Sequence, residues 1–342
     1  MLLKVKKKTA LKKQERNFKI TGPKCSIPKL NGSLQAIQNN MKKTCILIVG
    51  PTAVGKTALA IRLARYFNTR IISCDSRQCY EELNIGVAKP SAEDLALVPH
   101  HFINSHSIHD LVTAAAFEKY ALEMVAEIFA KHDVAVMVGG TGLYAKAFCD
   151  GIDEIPEIDE SIRHNINQSY HQNGLTWVQE EVKKNDPEYF TNGEIKNPRR
   201  LLRVLEVKLS TGQSIRHFQI QQKKLRDFTI IKIGLEIPRT DLIERINQRV
   251  NSMMKEGLPS EVKSLLPYKK LNALQTVGYK ELFSHFSGGL SLTQATEAIK
   301  INTRQYAKRQ MTWFKKDTGI RWCKVDFDEV LKTINAAINS LA

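Results

Sequence analysis

The chain has 342 residues, 42% of them hydrophobic and 25% charged, enough for one large or two ordinary domains with a substantial core. No stretch approaches the 18 or more uninterrupted apolar residues that a membrane-spanning helix needs, so a cytoplasmic protein with no membrane partner is expected. The net charge is +16, and the six cysteines form no C-x-x-C pair and are unevenly spaced, which fits reduced thiols better than a disulfide framework.

More than half of the charge excess lies at the start. Residues 1–40 hold nine Lys, one Arg and one Glu, a net +9, and are poor in aromatics and without a sustained period. The opening residues, Met1-Leu2-Leu3-Lys4-Val5-Lys6-Lys7-Lys8, are followed by no apolar core of the signal-peptide kind. A basic, disordered extension is expected here. It could serve as an RNA-attracting arm or a weak targeting segment, or precede a natural start at Met41.

From residue 44 strands and helices alternate. The apolar run Cys45–Val49 predicts a buried strand, and Lys56–Phe67 predicts an amphipathic helix. Between them, Gly50-Pro51-Thr52-Ala53-Val54-Gly55-Lys56-Thr57 matches the nucleotide- and ATP-binding type of phosphate loop, G-x-x-x-x-G-K-[ST], in the strand-to-helix setting that loop requires. Its glycines let backbone N–H groups turn toward a diphosphate, Lys56 adds a point charge, and the Thr57 hydroxyl can hold Mg²⁺. Arg70–Cys74 predicts a second strand ending at Asp75. A long helix is predicted over Thr113–Lys131, and a third strand over Val134–Val138, running into Gly139-Gly140-Thr141-Gly142. His100, His101, His106 and His109 fall in a predicted loop and lack a partner at common ligand spacing before Asp110, so zinc is not expected.

Strands alternating with helices imply an α/β fold, a P-loop three-layer core with a parallel sheet. Ligands in such sheets sit beyond the carboxyl ends of the strands, where Thr57, Asp75 and Thr141 converge. Residues 153–225 differ. Charged helical segments, Asp159–Gln168, Leu175–Lys184 and Pro198–Leu209, are separated by Asn173-Gly174 and Asp186-Pro187, and predict a helical insertion domain in a core made of 41–152 and 226–342. The core resumes with a strand, Phe228–Leu235, helices over Thr240–Glu256 and Thr293–Lys315, and a β-like end at Ile320–Val325.

Two helical stretches are basic. Pro198-Arg199-Arg200-Leu201-Leu202-Arg203 has three Arg in close succession. Ile299–Lys316 has six Lys or Arg and no acid, with Lys300, Arg304 and Lys308 on one face and Tyr306 and Trp313 interleaved. A merely solvated face usually alternates in sign, so contact with a phosphate backbone is expected. Motor ATPases hold Mg²⁺ through an acid at a strand end. Here the strand Val134–Val138 ends in glycines, which weakens that reading and leaves a small-molecule kinase using Asp75 as the rival.

At this point the motifs resemble a family. The loop, Ser73-Cys74-Asp75-Ser76-Arg77-Gln78-Cys79-Tyr80, Gly86-Val87-Ala88-Lys89-Pro90, Gly139-Gly140-Thr141-Gly142-Leu143-Tyr144, Arg199-Arg200 with Leu205-Glu206, Val277-Gly278-Tyr279, and Lys308-Arg309-Gln310 with Thr312-Trp313 are similar, in order and spacing, to those of the tRNA dimethylallyltransferases. The resemblance runs from about residue 44 to the end. Cys79 replaces a usual aliphatic residue, and Asn197-Pro198 stand where an acid is common. No C-terminal Cys/His pair marks the zinc finger of eukaryotic members, which points to a bacterial type.

The resemblance implies transfer of a dimethylallyl group from dimethylallyl diphosphate to N6 of adenosine 37, beside the anticodon; separately, a monomer is expected. Residues Gly50 to Thr57 would hold the diphosphate, with Lys56 catalytic and Mg²⁺ at Thr57. Asp75 would be the general base and Thr141 would hydrogen-bond the adenine. The tRNA anticodon stem-loop would be gripped by Asp75, Ser76, Arg77, Gln78, Thr141, Arg163, Arg199, Arg200, Leu201, Leu202, Arg203, Leu274, Gln275, Thr276, Val277, Gly278 and Tyr279, and by Lys308, Arg309, Gln310, Met311, Thr312, Trp313, Phe314 and Lys315. A family variant that prenylates free adenine nucleotides is the second alternative. The insertion and the acid-free helix favour the larger polyanion.

Overall fold

The computed structural model describes residues 43–220 and 222–340. The predicted disordered extension, residues 1–40, lies outside them. Six parallel strands form one sheet: β1 (Thr44–Val49), β2 (Ile71–Ser73), β3 (His100–His101), β4 (Val134–Val138), β5 (Thr229–Leu235) and β6 (Arg321–Cys323), in the order β3-β2-β4-β1-β5-β6. β1 is central and every residue in it is buried. It pairs with β4 from Thr44↔Val134 to Ile48↔Val138, and with β5 from Thr44↔Thr229 to Val49↔Gly234. A strand buried on both faces must be apolar throughout, which is why Cys45-Ile46-Leu47-Ile48-Val49 shows no polar alternation.

The side chains of β1 part between two cores. Cys45, Leu47 and Val49 join a cluster with α3 (Ala114–Phe129), α4 (Gly142–Asp150), α10 (Leu258–Ser264), α11 (Tyr279–Phe286) and α12 (Leu292–Phe314). Ile46 and Ile48 face α1 (Lys56–Tyr66) and α13 (Phe327–Asn339) through Leu59, Leu63, Val330 and Ile334. Helices on both faces of a parallel sheet give the expected three layers. The short α2 (Ala92–Leu97) precedes β3, and α9 (Arg239–Glu256) lies against α12.

Between α4 and β5 the chain forms α5 (Glu160–Asn185), α6 (Pro187–Asn192), α7 (Pro198–Thr211) and α8 (Ile215–Phe218). These helices bury their own cluster, including Val178, Val182, Leu201, Leu205 and Ile215. Gly174, at φ 74° and ψ −161°, kinks α5 where Asn173-Gly174 was expected to divide two helices. Asp186 caps α6 by accepting from Tyr189 N, with Pro187 at the first helical position. Asn197 caps α7 by accepting from Arg199 N and Arg200 N.

Two local expectations are corrected. His100 and His101 form the edge strand β3, paired with Ile71 and Ile72, where a loop was expected. The predicted β-like end is a strand followed by a further helix, α13, capped by Asp326. Gly142–Asp150, on which no expectation was stated, is helical, with Thr141 at its N-cap position and Tyr144, Ala147 and Phe148 on its buried face. Among the described residues no cluster of His, Cys, Asp and Glu is arranged to hold a metal ion, and no helix is long and apolar enough to cross a membrane.

Candidate active site

The carboxyl ends of β1, β2 and β4 carry the polar residues. After β1 the loop needs left-handed backbone at Gly50 (φ 139°), Ala53 (φ 65°) and Gly55 (φ 111°), and Lys56 opens α1 directly. A Cβ on Gly50 would lie 2.7 Å from the Leu235 carbonyl at the end of β5, so only glycine permits this approach. Lys56 Nζ donates to the carbonyl oxygens of Gly50 at 3.0 Å and Pro51 at 2.7 Å. Burial pushes its pKa down to about 8; the Asp75 carboxylate opposes the fall and the Arg249 guanidinium adds to it. The Thr57 hydroxyl, half-buried in the first turn of α1, makes no hydrogen bond among the described residues.

Asp75 follows β2. Its Oδ1 accepts from Arg77 N at 2.9 Å and Gln78 N at 3.4 Å, which turns the chain and holds the carboxylate beside the sheet end. Its other oxygen makes no hydrogen bond among the described residues. After β4, a Cβ on Gly139 would fall 2.0 Å from the Cys74 carbonyl, so the glycine lets the ends of β2 and β4 come together. Thr141 Oγ1 accepts from Ser76 N at 3.0 Å and donates to Ser76 Oγ at 3.3 Å. The Tyr306 phenol reaches the same place from α12: burial raises its pKa, and the Asp75 carboxylate raises it further. Thr57, Asp75 and Thr141 thus stand at adjoining strand ends, as the sequence implied.

Two residues escaped the sequence reading. Arg245 and Arg249 on α9 line a cavity of about 340 Å³ with Ala53, Gly55, Gln248 and Ser252, at the outer side of the phosphate loop. Arg245 Nη1 donates to the Val54 carbonyl at 3.2 Å. Burial lowers the pKa of Arg249. Their i, i+4 spacing was legible as one helix face, but nothing in the sequence tied that face to a loop so distant along the chain. The cavity is small and carries two arginines beside the loop, which suits an anion.

The residues expected to touch RNA divide into surface and support. Arg199, Arg200, Lys308, Arg309, Thr312 and Trp313 are exposed, and Gln275, Thr276, Val277 and Met311 are partly so. Leu201, Leu202, Leu274, Tyr279, Gln310 and Phe314 are at most 9% exposed. This corrects the expectation for their side chains: they form the core beneath the surface. Gly278 is likewise buried, with its N–H donated to Glu281 at 2.7 Å. Gln78 pins the following loop through the carbonyls of Val87 and Ala88, and Arg77 Nη1 donates to the Asn272 carbonyl. Arg163 and Arg203 converge on Glu206 at 3.7 and 3.3 Å. Lys315 pairs with Glu236 at 2.7 Å and lies 3.9 Å from the Trp322 ring centre. The acid-free run begins inside α12, two residues after Glu297, which pairs with Lys300.

The profile of IPP transferases matches residues 78–317. The tRNA dimethylallyltransferase of Christiangramia forsetii is 48% identical over 300 residues, covering 88% of this chain and 99% of that protein. The tRNA dimethylallyltransferase 1 of Bacteroides thetaiotaomicron is 46% identical, covering 82% and 91%. Among solved structures, the tRNA isopentenylpyrophosphate transferase of Bacillus halodurans superposes with a TM-score of 0.63 at 34% identity, covering 87% of this chain and 96% of that one. A eukaryotic dimethylallyltransferase acting on tRNA gives 0.67 at 26% identity, covering 82% and 74%. The order of the motifs, the parallel sheet and these likenesses agree, and the chain belongs to the IPP transferase family.

Proposed function

We propose that this protein transfers the dimethylallyl group of dimethylallyl diphosphate to N6 of adenosine 37 in tRNA, releasing diphosphate, as a cytoplasmic monomer that grips the anticodon stem-loop. The observation that carries the reading is the placement of a phosphate loop, a carboxylate and a hydroxyl at adjoining strand ends. The strand β4, where a motor ATPase would carry its acid, ends in Gly139-Gly140.

In this reaction the allylic carbon–oxygen bond breaks as the adenine amine forms its new bond to carbon. Positive charge grows on that carbon and negative charge on the departing diphosphate. Loop N–H groups, Lys56, Arg245 and Arg249 would face the departing charge, and donors already fixed in place stabilise it without reorganising. The Thr57 hydroxyl, without a hydrogen bond among the described residues, fits a hard cation that prefers oxygen. Mg²⁺ held there would neutralise part of the diphosphate charge. The amine is weakly basic and sheds a proton as it attacks; Asp75, with one oxygen fixed by the turn and the other without a hydrogen bond among the described residues, would accept it. Thr141 orients the adenine.

A base stacked in an anticodon loop reaches a strand-end pocket only when extruded, so the protein must hold the surrounding RNA. Arg199 and Arg200 on α7 and Lys308 and Arg309 on α12 offer exposed cations for the phosphates. That extended basic surface favours tRNA over free nucleotides. The test is mass spectrometry of adenosine 37 in tRNA from a deletion strain, paired with turnover of purified protein. Prenylated adenosine 37 is expected to vanish and to return on complementation. Release of ADP from ATP in place of prenyl transfer would establish the kinase reading instead.

A further inference from the structure

Gln310 behaves unlike the residues around it. Lys308, Arg309 and Thr312 on the same stretch of α12 are open to solvent, whereas Gln310 is 6% exposed. Its amide makes two bonds with distinct partners: Oε1 accepts from Thr52 N at 2.8 Å, and Nε2 donates to the Gly140 carbonyl at 2.9 Å. The partners fix which end of the amide is which, because a backbone N–H can only donate and a carbonyl can only accept. The contact is tight. A Cβ on Gly140 would lie 2.2 Å from Gln310 Nε2 and 3.8 Å from Lys56 Nζ, so Gly140, Gln310 and Lys56 meet at one point. Two residues on, a Cβ at Gly142 would lie 2.2 Å from the Trp313 ring, and α12 therefore presses on the glycine turn at two places.

The two backbone groups belong to different halves of the site. Thr52 lies in the loop assigned to the diphosphate, and Gly140 in the turn that carries Thr141, assigned to the adenine. We propose that Gln310 is a positioning residue that sets the distance and angle between the prenyl donor and its acceptor. The proposal rests on the function proposed above. Because its N–H is already taken by Gln310, Thr52 is withdrawn from phosphate binding, and the loop N–H groups that face the diphosphate begin at Ala53. Each loop holds its ligand by its own groups, so loss of the amide should leave both binding events largely intact while the reacting atoms drift out of line. A misplacement near 1 Å can cost about a hundredfold in rate.

The experiment compares the full-length parent with Gln310→Met, which preserves length and packing but can form neither bond. Measured are kcat, KM for dimethylallyl diphosphate, binding of substrate tRNA, and thermal midpoint. A fall in kcat of about 10- to 100-fold, with KM and tRNA affinity within about threefold of the parent, supports the positioning role. A kcat within twofold of the parent overturns it, and so does a loss of donor affinity as large as the loss of kcat, which would mark Gln310 as mere support for the loop. Should the methionine variant fold poorly, Gln310→Glu retains the acceptor for Thr52 N and loses the donor to Gly140, and is read by the same criteria. Absence of prenyl transfer in the parent itself would instead refute the function on which the proposal rests.

Discussion

Replacing Lys56 with Met should stabilise the free protein at neutral pH while nearly abolishing its activity. The amine is buried, and its pKa falls from 10.5 to about 8. That shift corresponds to a penalty of about 3 kcal/mol for keeping the charged form in the folded chain. The neutral side chain of Met escapes the penalty but leaves the carbonyls of Gly50 and Pro51 without their donor, at about 1 kcal/mol each. The balance favours the variant by about 1 kcal/mol at pH 7.

The sign depends on pH. Between pH 8 and 10.5 the unfolded chain keeps the Lys56 proton that the folded chain has lost, so folding of the parent gains stability as pH rises through this window and loses it as pH falls. Below about 8 both states are protonated and the cost is borne in full. The parent should therefore overtake the variant toward pH 10.5, with a swing of about 3 kcal/mol across the window. Urea unfolding of both proteins at a series of pH values measures the difference, from which all other titrations common to the pair cancel. A difference that stayed constant from pH 7 to 10.5 would show that the amine carries no burial penalty, and would refute the argument. Bound diphosphate should reverse the order at pH 7, because it supplies the missing counter-charge to Lys56 alone.

Three other substitutions separate the parts of the site. Asp75→Asn should lower turnover by roughly two to four orders of magnitude, the usual contribution of a positioned base, and leave tRNA affinity unchanged; half-normal activity would reduce Asp75 to the turn cap that its Oδ1 also forms. Arg249→Met should raise KM for dimethylallyl diphosphate by roughly 10- to 100-fold, as expected for a lost charge-assisted contact, with tRNA binding intact; an unchanged KM would remove α9 from the diphosphate site. Replacing Lys308 and Arg309 together with Ala should weaken all substrate tRNAs about equally and reduce the salt slope of binding by roughly one to two units, since each neutralised phosphate contributes nearly one. Parent-like affinity and slope would make the surface of α12 only a solvated face.

What the sequence revealed, and what it hid, follows from how each signal is encoded. The phosphate loop, Asp75 and Thr141 were legible because each sits within a few residues of the strand that positions it, so local spacing carries the geometry. Gly139-Gly140 was legible as a turn, yet its reason, the close approach of the Cys74 carbonyl from another strand, belongs to the sheet. Arg245 and Arg249 were missed because their partner loop lies on a distant part of the chain. The helix α13 was missed although Val330, Ile334 and Ala337 recur on one face beyond the Asp326 cap; its signal was present and was overshadowed by the preceding strand.

The same distinction decides how α12 should be understood. Its charges stand out in the sequence because the run Ile299–Lys316 lacks acids, and charge is a property of composition that survives without knowledge of the fold. That property marks a stretch of helix as a whole, and the resemblance likewise assigned Lys308 to Lys315 to the tRNA as one block, Gln310 and Phe314 included. A helix with 3.6 residues per turn cannot present consecutive residues to one partner. Lys308 and Arg309 face solvent while Ala307, Gln310 and Phe314, spaced three and four apart, face the protein. On that inner stripe Gln310 is the polar member, and a buried amide persists only where both of its ends are satisfied. Its two partners are the backbone of the loop after β1 and the backbone of the glycine turn after β4. The helix that offers cations outward thus holds the two halves of the site together inward, and a substitution on either face is predicted to change a different kinetic constant: RNA affinity for the outer residues, kcat for the inner one.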